Sequence, residues 1–473
     1  MSEPNPASVH TTLVAGGSTE LLRTLALLTA ATLGLGCEEP PTAVAAHGTA
    51  LHEDHSGPGS SGPDLHSRNV KLLANVPRTG DATQSDLAFA GRYAYAGSYD
   101  GFRVIDLSDP ERPRVVSEVR CNGAQADLSV YHTLLFLSVD QAQSSAACDS
   151  EDVFPDNTTF EGVRIFDLSD PAAPRHVASV ATDCGSHTHT LVPDPTRNRV
   201  FLYISSYPGG LFTTSETCDA PHGYISIVSV PLGNPVATTV TKYHLDSGTQ
   251  SWSSPARTSC HDITVFLELR RAAASCMSET QLWDISDPAQ PRFLWRFDHP
   301  AVNTANHDIW HSAAFSWDGK IVAFGDESGG GAEARCEDPT DEHGRIWFVD
   351  VATGAALGNY KIPRSEPGPC TSHNFNFIPL PSGRKVLVAA SYTGGTTVVD
   401  VDRLLAGASA ATAEVGFYRP SGSRAWSSYW YNGLIVVNDM LRGLDIMLLS
   451  DDARSGARKL PSMNPQTQER VIR

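Results

Sequence analysis

FRVIDLSDPERP, from Phe102 to Pro113, returns as VRIFDLSDPAAP from Val163 to Pro174 and as TQLWDISDPAQP from Thr280 to Pro291. The apolar alternation before the first Asp is that of a half-buried strand. Ser-Asp-Pro then ends it in a turn, because proline fixes φ and has no N–H to give a ladder. Weaker copies begin at Ile225 (ISIVSVPLGNP), Arg345 (RIWFVDVATG), Thr396 (TTVVDVDRLL) and Gly443 (GLDIMLLS), which makes seven. Each copy follows two further strand-like runs, as in DLAFAGRYAYAGSYDGFRVIDLSDP from Asp86, where Ala-Gly-Arg and Tyr-Asp-Gly mark the hairpin turns. The run after the second Pro, such as RVVSEV at Arg114 to Val119, gives a fourth strand. A four-stranded antiparallel unit cannot bury both faces alone and must stack on its neighbours. No long segment has helical period, so the expectation is an all-β chain forming a seven-bladed β-propeller over 69–450.

The rest of the composition agrees with one repeat architecture. At 473 residues the chain exceeds a usual single core. With 35 basic against 53 acidic residues the net charge is -18, which argues against nucleic acid and against anionic lipid headgroups.

The repeats resemble the LVIVD family of bacterial secreted propellers, whose name-giving run stands here as FRVIDLSDP, and the resemblance spans about Asn69 to Leu449. SHTHTLVPD, CHDITV, WHSAAFSWDGK and CTSHNFNFIP are similar to phrases of a histidine-bearing subgroup. The resemblance implies the fold and leaves the biochemical role open.

LLRTLALLTAATLGLG, from Leu21 to Gly36, is too short for a comfortable membrane span and is followed by Cys37, a pattern similar to a bacterial lipoprotein signal over 1–37. The resemblance implies lipidation of Cys37. A plain secretory signal is the alternative, and both readings make the protein exported. Residues 38–68 are rich in Pro, Gly, Ser and His and read as a flexible tether. Residues 451–473 read as a polar C-terminal tail. Removing Cys37 leaves eight cysteines, an even number in an exported chain, so disulfides are expected. Cys260 with Cys276 and Cys336 with Cys370 look like local pairs, while Cys121, Cys148, Cys184 and Cys218 stay unassigned.

Histidines recur where inner strands should begin: His189 in SHTHT, His261 in CHDIT, His311 in IWHSAAF and His373 in TSHNF. Around the ring the matching positions are Asp86, Asp127, His189, His261, His311, His373 and the neighbourhood of Ser428. Converging imidazoles suit a transition metal such as Zn, Cu or Fe, with His187 and His307 as alternate ligands. Asp262 and Asp308 directly follow histidines and are candidates for orienting the rings from behind. Asp262 would have to escape the alternation of its strand to do so. Inner-strand histidines can also simply hydrogen-bond neighbouring blades, or line a metal-free polar site. Trp426, Tyr429, Trp430 and Tyr431 either floor a pocket or pack the ring closure. DESGGGAEARCEDP, from Asp326, lacks the spacing of an EF-hand or phosphate loop and reads as a surface loop held by Cys336.

Two functions compete on this sequence. One is an envelope-tethered, monomeric binding or scaffold module for a protein, carbohydrate or small molecule, touching the membrane only through its lipid. The other is a metal-dependent oxidase or hydrolase acting on a small molecule in the channel.

Overall fold

The computed structural model describes residues 59, 60 and 62–473 apart from 209–217, 219–220, 247–258, 301, 303–308, 329–330, 332–335, 337, 339, 365–367 and 451. The expected signal segment with Cys37, most of the tether, His307 and Asp308 lie outside the described residues.

Seven antiparallel sheets follow one another along the chain, each running from an inner to an outer strand. The inner strands are Gln84–Ala90, Leu128–Tyr131, Thr188–Asp194, Asp262–Phe266, Trp310–Phe315, Phe375–Phe377 and Ala425–Tyr431, in blades one to seven. The chain is a seven-bladed β-propeller with almost no helix, and the described α-helices are the short Val401–Leu405 and Ala410–Ala413. The last motif copy, in Gly443–Leu449, has no strand after it. Val70–Val76 fills the place instead, pairing antiparallel with Val70 opposite Leu449, so the start of the propeller closes its own ring.

The repeated motif explains itself in hydrogen bonds. Asp106 Oδ1 accepts from the backbone N–H and hydroxyl of Ser108 at 2.9 and 2.6 Å, and Asp167 does the same with Ser169. The other oxygen of each receives the arginine that follows the second Pro: Arg114 on Asp106 at 3.0 Å, Arg175 on Asp167, and Arg292 on Asp284 at 2.8 Å. Each arginine pairs in register with its Asp. One side chain therefore caps the turn and pins the outer strand. Hydrogen bonds from Ser286, then the Arg292 guanidinium, hold the Asp284 carboxyl down at about 2. Gly101, at φ 139°, starts a third strand where a Cβ would lie 2.0 Å from the Val119 carbonyl oxygen, so the outer strand can approach only a glycine.

The core lies between blades rather than within one. Among the described residues seven large apolar clusters each join two neighbours, such as Phe266 and Leu282 of blade four with Phe315, Phe324 and Trp347 around blade five. Stacking of repeats thus supplies the burial that a single blade lacks.

The inner strands all begin at one face, called the upper face here, and end at the lower. The described part of the expected polar tail, 452–473, lies under the lower mouth. Ser462–Met463 pairs with the end of the blade one inner strand, and Thr467–Gln468 runs parallel to the end of blade four's. Asn464 exchanges hydrogen bonds with the Val130 backbone, Thr467 donates to the Leu191 carbonyl, and Gln468 to that of Phe315. Polar side chains serve here because inner strands, at their ends, offer unpaired backbone groups that need partners. The tether too ends in structure, with Leu65–His66 paired to Arg419 and Tyr418 on the outer strand of blade six.

Candidate metal centre

Loops at the upper face carry the histidines into the channel, and four disulfides tie those loops down. Cys121–Cys148 and Cys184–Cys218 each join the approach to an inner strand with the loop after the second strand of the same blade, and Cys260–Cys276 joins it to the last residue of that second strand; Cys336–Cys370 joins blade five to blade six. Cys260 immediately precedes His261, and Cys184 and Cys370 stand three residues before His187 and His373. Cross-links so placed restrict the backbone that aims the imidazoles.

Four histidines and one glutamate meet, all buried. His187 Nε2 lies 2.9 Å from His261 Nε2. The rings of His261 and His311 are 3.9 Å apart, and those of His311 and His373 4.3 Å. Glu327 stands between the last two, with Oε2 3.5 Å from His311 Nε2 and Oε1 3.5 Å from His373 Nε2. His261, His311 and Glu327 can each offer an atom within 4.8 Å of the others, a group able to hold a metal ion.

The partners behind the rings fix which nitrogen faces inward. His187 Nδ1 is 2.9 Å from Asp140 Oδ2, so it carries the proton and donates, leaving the Nε2 lone pair turned to His261. His373 Nδ1 is 2.7 Å from the Trp426 carbonyl, which can only accept. Its Nε2 faces the Glu327 carboxylate, so that either a proton on Nε2 or a metal ion between the two must join them. The 2.9 Å gap between His187 and His261 is also that of two adjacent ligands each about 2.0–2.1 Å from one metal. Tyr392 donates its hydroxyl to Glu327 Oε1, and the Tyr207 hydroxyl is 3.3 Å from His187.

His189 does not join this group. It holds the register of His261, but both ring nitrogens are taken by blade two, Nε2 by the Ser129 hydroxyl at 2.7 Å and Nδ1 by that of Ser138 at 2.8 Å. Burial pushes its imidazole down to about 3, so it stays neutral and locks two blades together. His187, two residues earlier, is the blade three histidine at the cluster. Asp262 does not stand behind His261. It lines a pocket of at most about 250 Å³ beside the histidines, together with Asp86, Gln125, Asp127, Thr188, Asn374 and Trp426. Burial, then Asp86 and Asp262, push the Asp127 carboxyl well above the usual carboxylate range. Among the closing aromatics, Trp426 lines this pocket, Tyr429 donates to Asp86 at 2.7 Å, and Trp430 and Tyr431 pack between blades.

Sequence reading missed Glu327, Asp140 and Tyr392, which share one position. Leu134, Ile321 and Val386 pair with Asp167, Asp350 and Asp400, and six residues on (134 to 140, 321 to 327, 386 to 392) come Asp140, Glu327 and Tyr392. An acidic residue closing an apolar second strand was the signal available.

Comparison with known proteins supports the fold. Residues 80–120 match the LVIVD repeat. This match is the first blade, centred on FRVIDLSDP. No curated protein matches the chain. Among solved structures the chain is similar to the β-propeller domain of Cps50 (Swd1) from Myceliophteria thermophila, at 12% identity and TM-score 0.50, over 80% of this chain and 99% of that one. At that identity the likeness shows the fold alone. The four disulfides fit an oxidising, extracellular or envelope environment. Among the described residues no helix is long and apolar enough to cross a membrane.

Proposed function

We propose that the protein is an exported, lipid-anchored β-propeller that holds a transition metal ion, Zn, Cu or Fe, in its channel and works as a binding module at the cell envelope. His261, His311 and Glu327 are the core ligands, with His187 and His373 completing the set. The observation that carries this reading is the inward turn of two ring nitrogens, fixed by Asp140 behind His187 and the Trp426 carbonyl behind His373. Partners that orient a ligand from behind are a regular part of metal sites. Imidazole with carboxylate suits these three metals better than Ca²⁺ or Mg²⁺. Elemental analysis of the protein purified without a metal-affinity step tests it: about one equivalent of a transition metal is expected, and a folded, metal-free protein that takes up none would overturn it.

A second reading, a metal-dependent enzyme acting on a small molecule, draws on the pocket beside the ligands. Catalytic metals keep a position open to such a space. Azide binding to the Cu- or Co-loaded protein, followed by its visible spectrum, separates the two. A new charge-transfer band indicates an exchangeable position, and an unchanged spectrum leaves the binding module.

A further inference from the structure

The channel pocket is lined by His261, His311 and His373 and also by a set of oxygen-bearing side chains, called the oxygen wall here. Asp86, Asp127 and Asp262 come to it from blades one, two and four, and neither lysine nor arginine lines it. Asp86 Oδ1 accepts from the Ser427 and Tyr429 hydroxyls at 2.6 and 2.7 Å, and its Oδ2 from the Gln466 amide at 3.1 Å. Asp127 is only 4% exposed; its Oδ2 accepts the His189 N–H at 2.7 Å and its Oδ1 meets no donor. Asn374, 6% exposed, gives its amide nitrogen to Ser427, and its Oδ1 also meets no donor. Buried acceptors with no donor are costly and call for a proton, a water or a cation.

We infer that this oxygen wall is a second cation site, distinct from the histidine group, for a hard divalent ion of the Ca²⁺ or Mn²⁺ class. Asp86 and Asp127 are its carboxylate ligands, the ion displacing the proton that burial keeps on Asp127, and the Asn374 Oδ1 is a neutral one. The oxygens come from three blades and line one small pocket. That suits an ion that accepts six to eight oxygens at flexible geometry and fills gaps with water. All-oxygen donors select against the metals that imidazole prefers, so the two donor sets sort two kinds of ion within one pocket. The inference stands whether or not the histidines hold metal.

The test is equilibrium dialysis of the chelator-stripped protein against CaCl₂ alone and MnCl₂ alone at pH 7, read by elemental analysis. A chain of net charge -18 takes up some divalent ion anywhere on its surface, so the comparison between variants decides. About one tight equivalent is expected in the unaltered protein and in the H261A/H311A double variant, with affinity at least tenfold weaker in Asp127→Asn. Asn at 127 is neutral and keeps the acceptor for the His189 N–H, so folding, checked by circular dichroism, should survive. Asn374→Ala provides the same reading should Asp127→Asn fail to fold. No tight equivalent in the unaltered protein, or affinity unchanged in these variants, overturns the site. Loss of Ca²⁺ in H261A/H311A with folding intact would equally overturn it, by showing one site rather than two.

Discussion

His261, His311 and His373 stand at the heads of the inner strands in blades four to six, whereas blades one and two bring Asp86 and Asp127 to the same channel. The strands around these residues are alike, held by separate interblade apolar clusters of the same kind. What differs is only what faces the axis. A propeller's stability comes from between its blades, so channel positions can change chemistry without changing the fold. The pair His189 and His261 makes the point more sharply. They share a register, yet one is turned into a serine clasp and the other toward three more imidazoles, because the neighbouring blade offers hydroxyls in one case and histidine in the other.

Replacing both His261 and His311 with alanine should give the largest effect on this contrast. Two of three core ligands go, and transition-metal content should fall to background by elemental analysis while the seven-bladed fold persists. Asp140→Asn should act from behind the site. It removes the carboxylate that fixes the His187 tautomer, so metal affinity should drop by about 10–100-fold in chelator competition. His189→Ala should do the opposite: unfolding free energy in urea falls by about 1–3 kcal/mol, since two buried serine hydroxyls lose their partner, and metal content stays the same. The smallest effect belongs to the turn motif, far from the channel. Asp284 has its carboxyl held down at about 2, so its contribution is present above the unfolded value near 3.9 and is lost as pH falls from there toward 2. Asp284→Asn should therefore flatten the fall in melting temperature over that window.

The fold was legible because the deciding signal is local: alternation, then Asp, then a Ser-Asp-Pro turn and an arginine in register. Val70–Val76 lacks that motif and could be placed only by closing the ring. The segment from Ser462 to Gln468 hid for a related reason, since it binds through polar side chains to backbone groups and has no apolar period to read. At the site, register was legible and neighbours were not. Glu327 and Asp140 lie on second strands far in sequence from the histidines they serve, and only the stacking of blades brings them together. His187 and His189 differ by two positions on one strand, and which of them reaches the cluster depends on what the adjacent blade presents.

The most direct test of the central claim is anomalous X-ray diffraction from crystals grown without added chelator, collected above and below the absorption edge of the metal found by elemental analysis. The account predicts one strong peak bonded to His261, His311 and Glu327, with His189 still clasped by Ser129 and Ser138. A channel without anomalous density, or a metal bound at His189 in place of that trio, would contradict it.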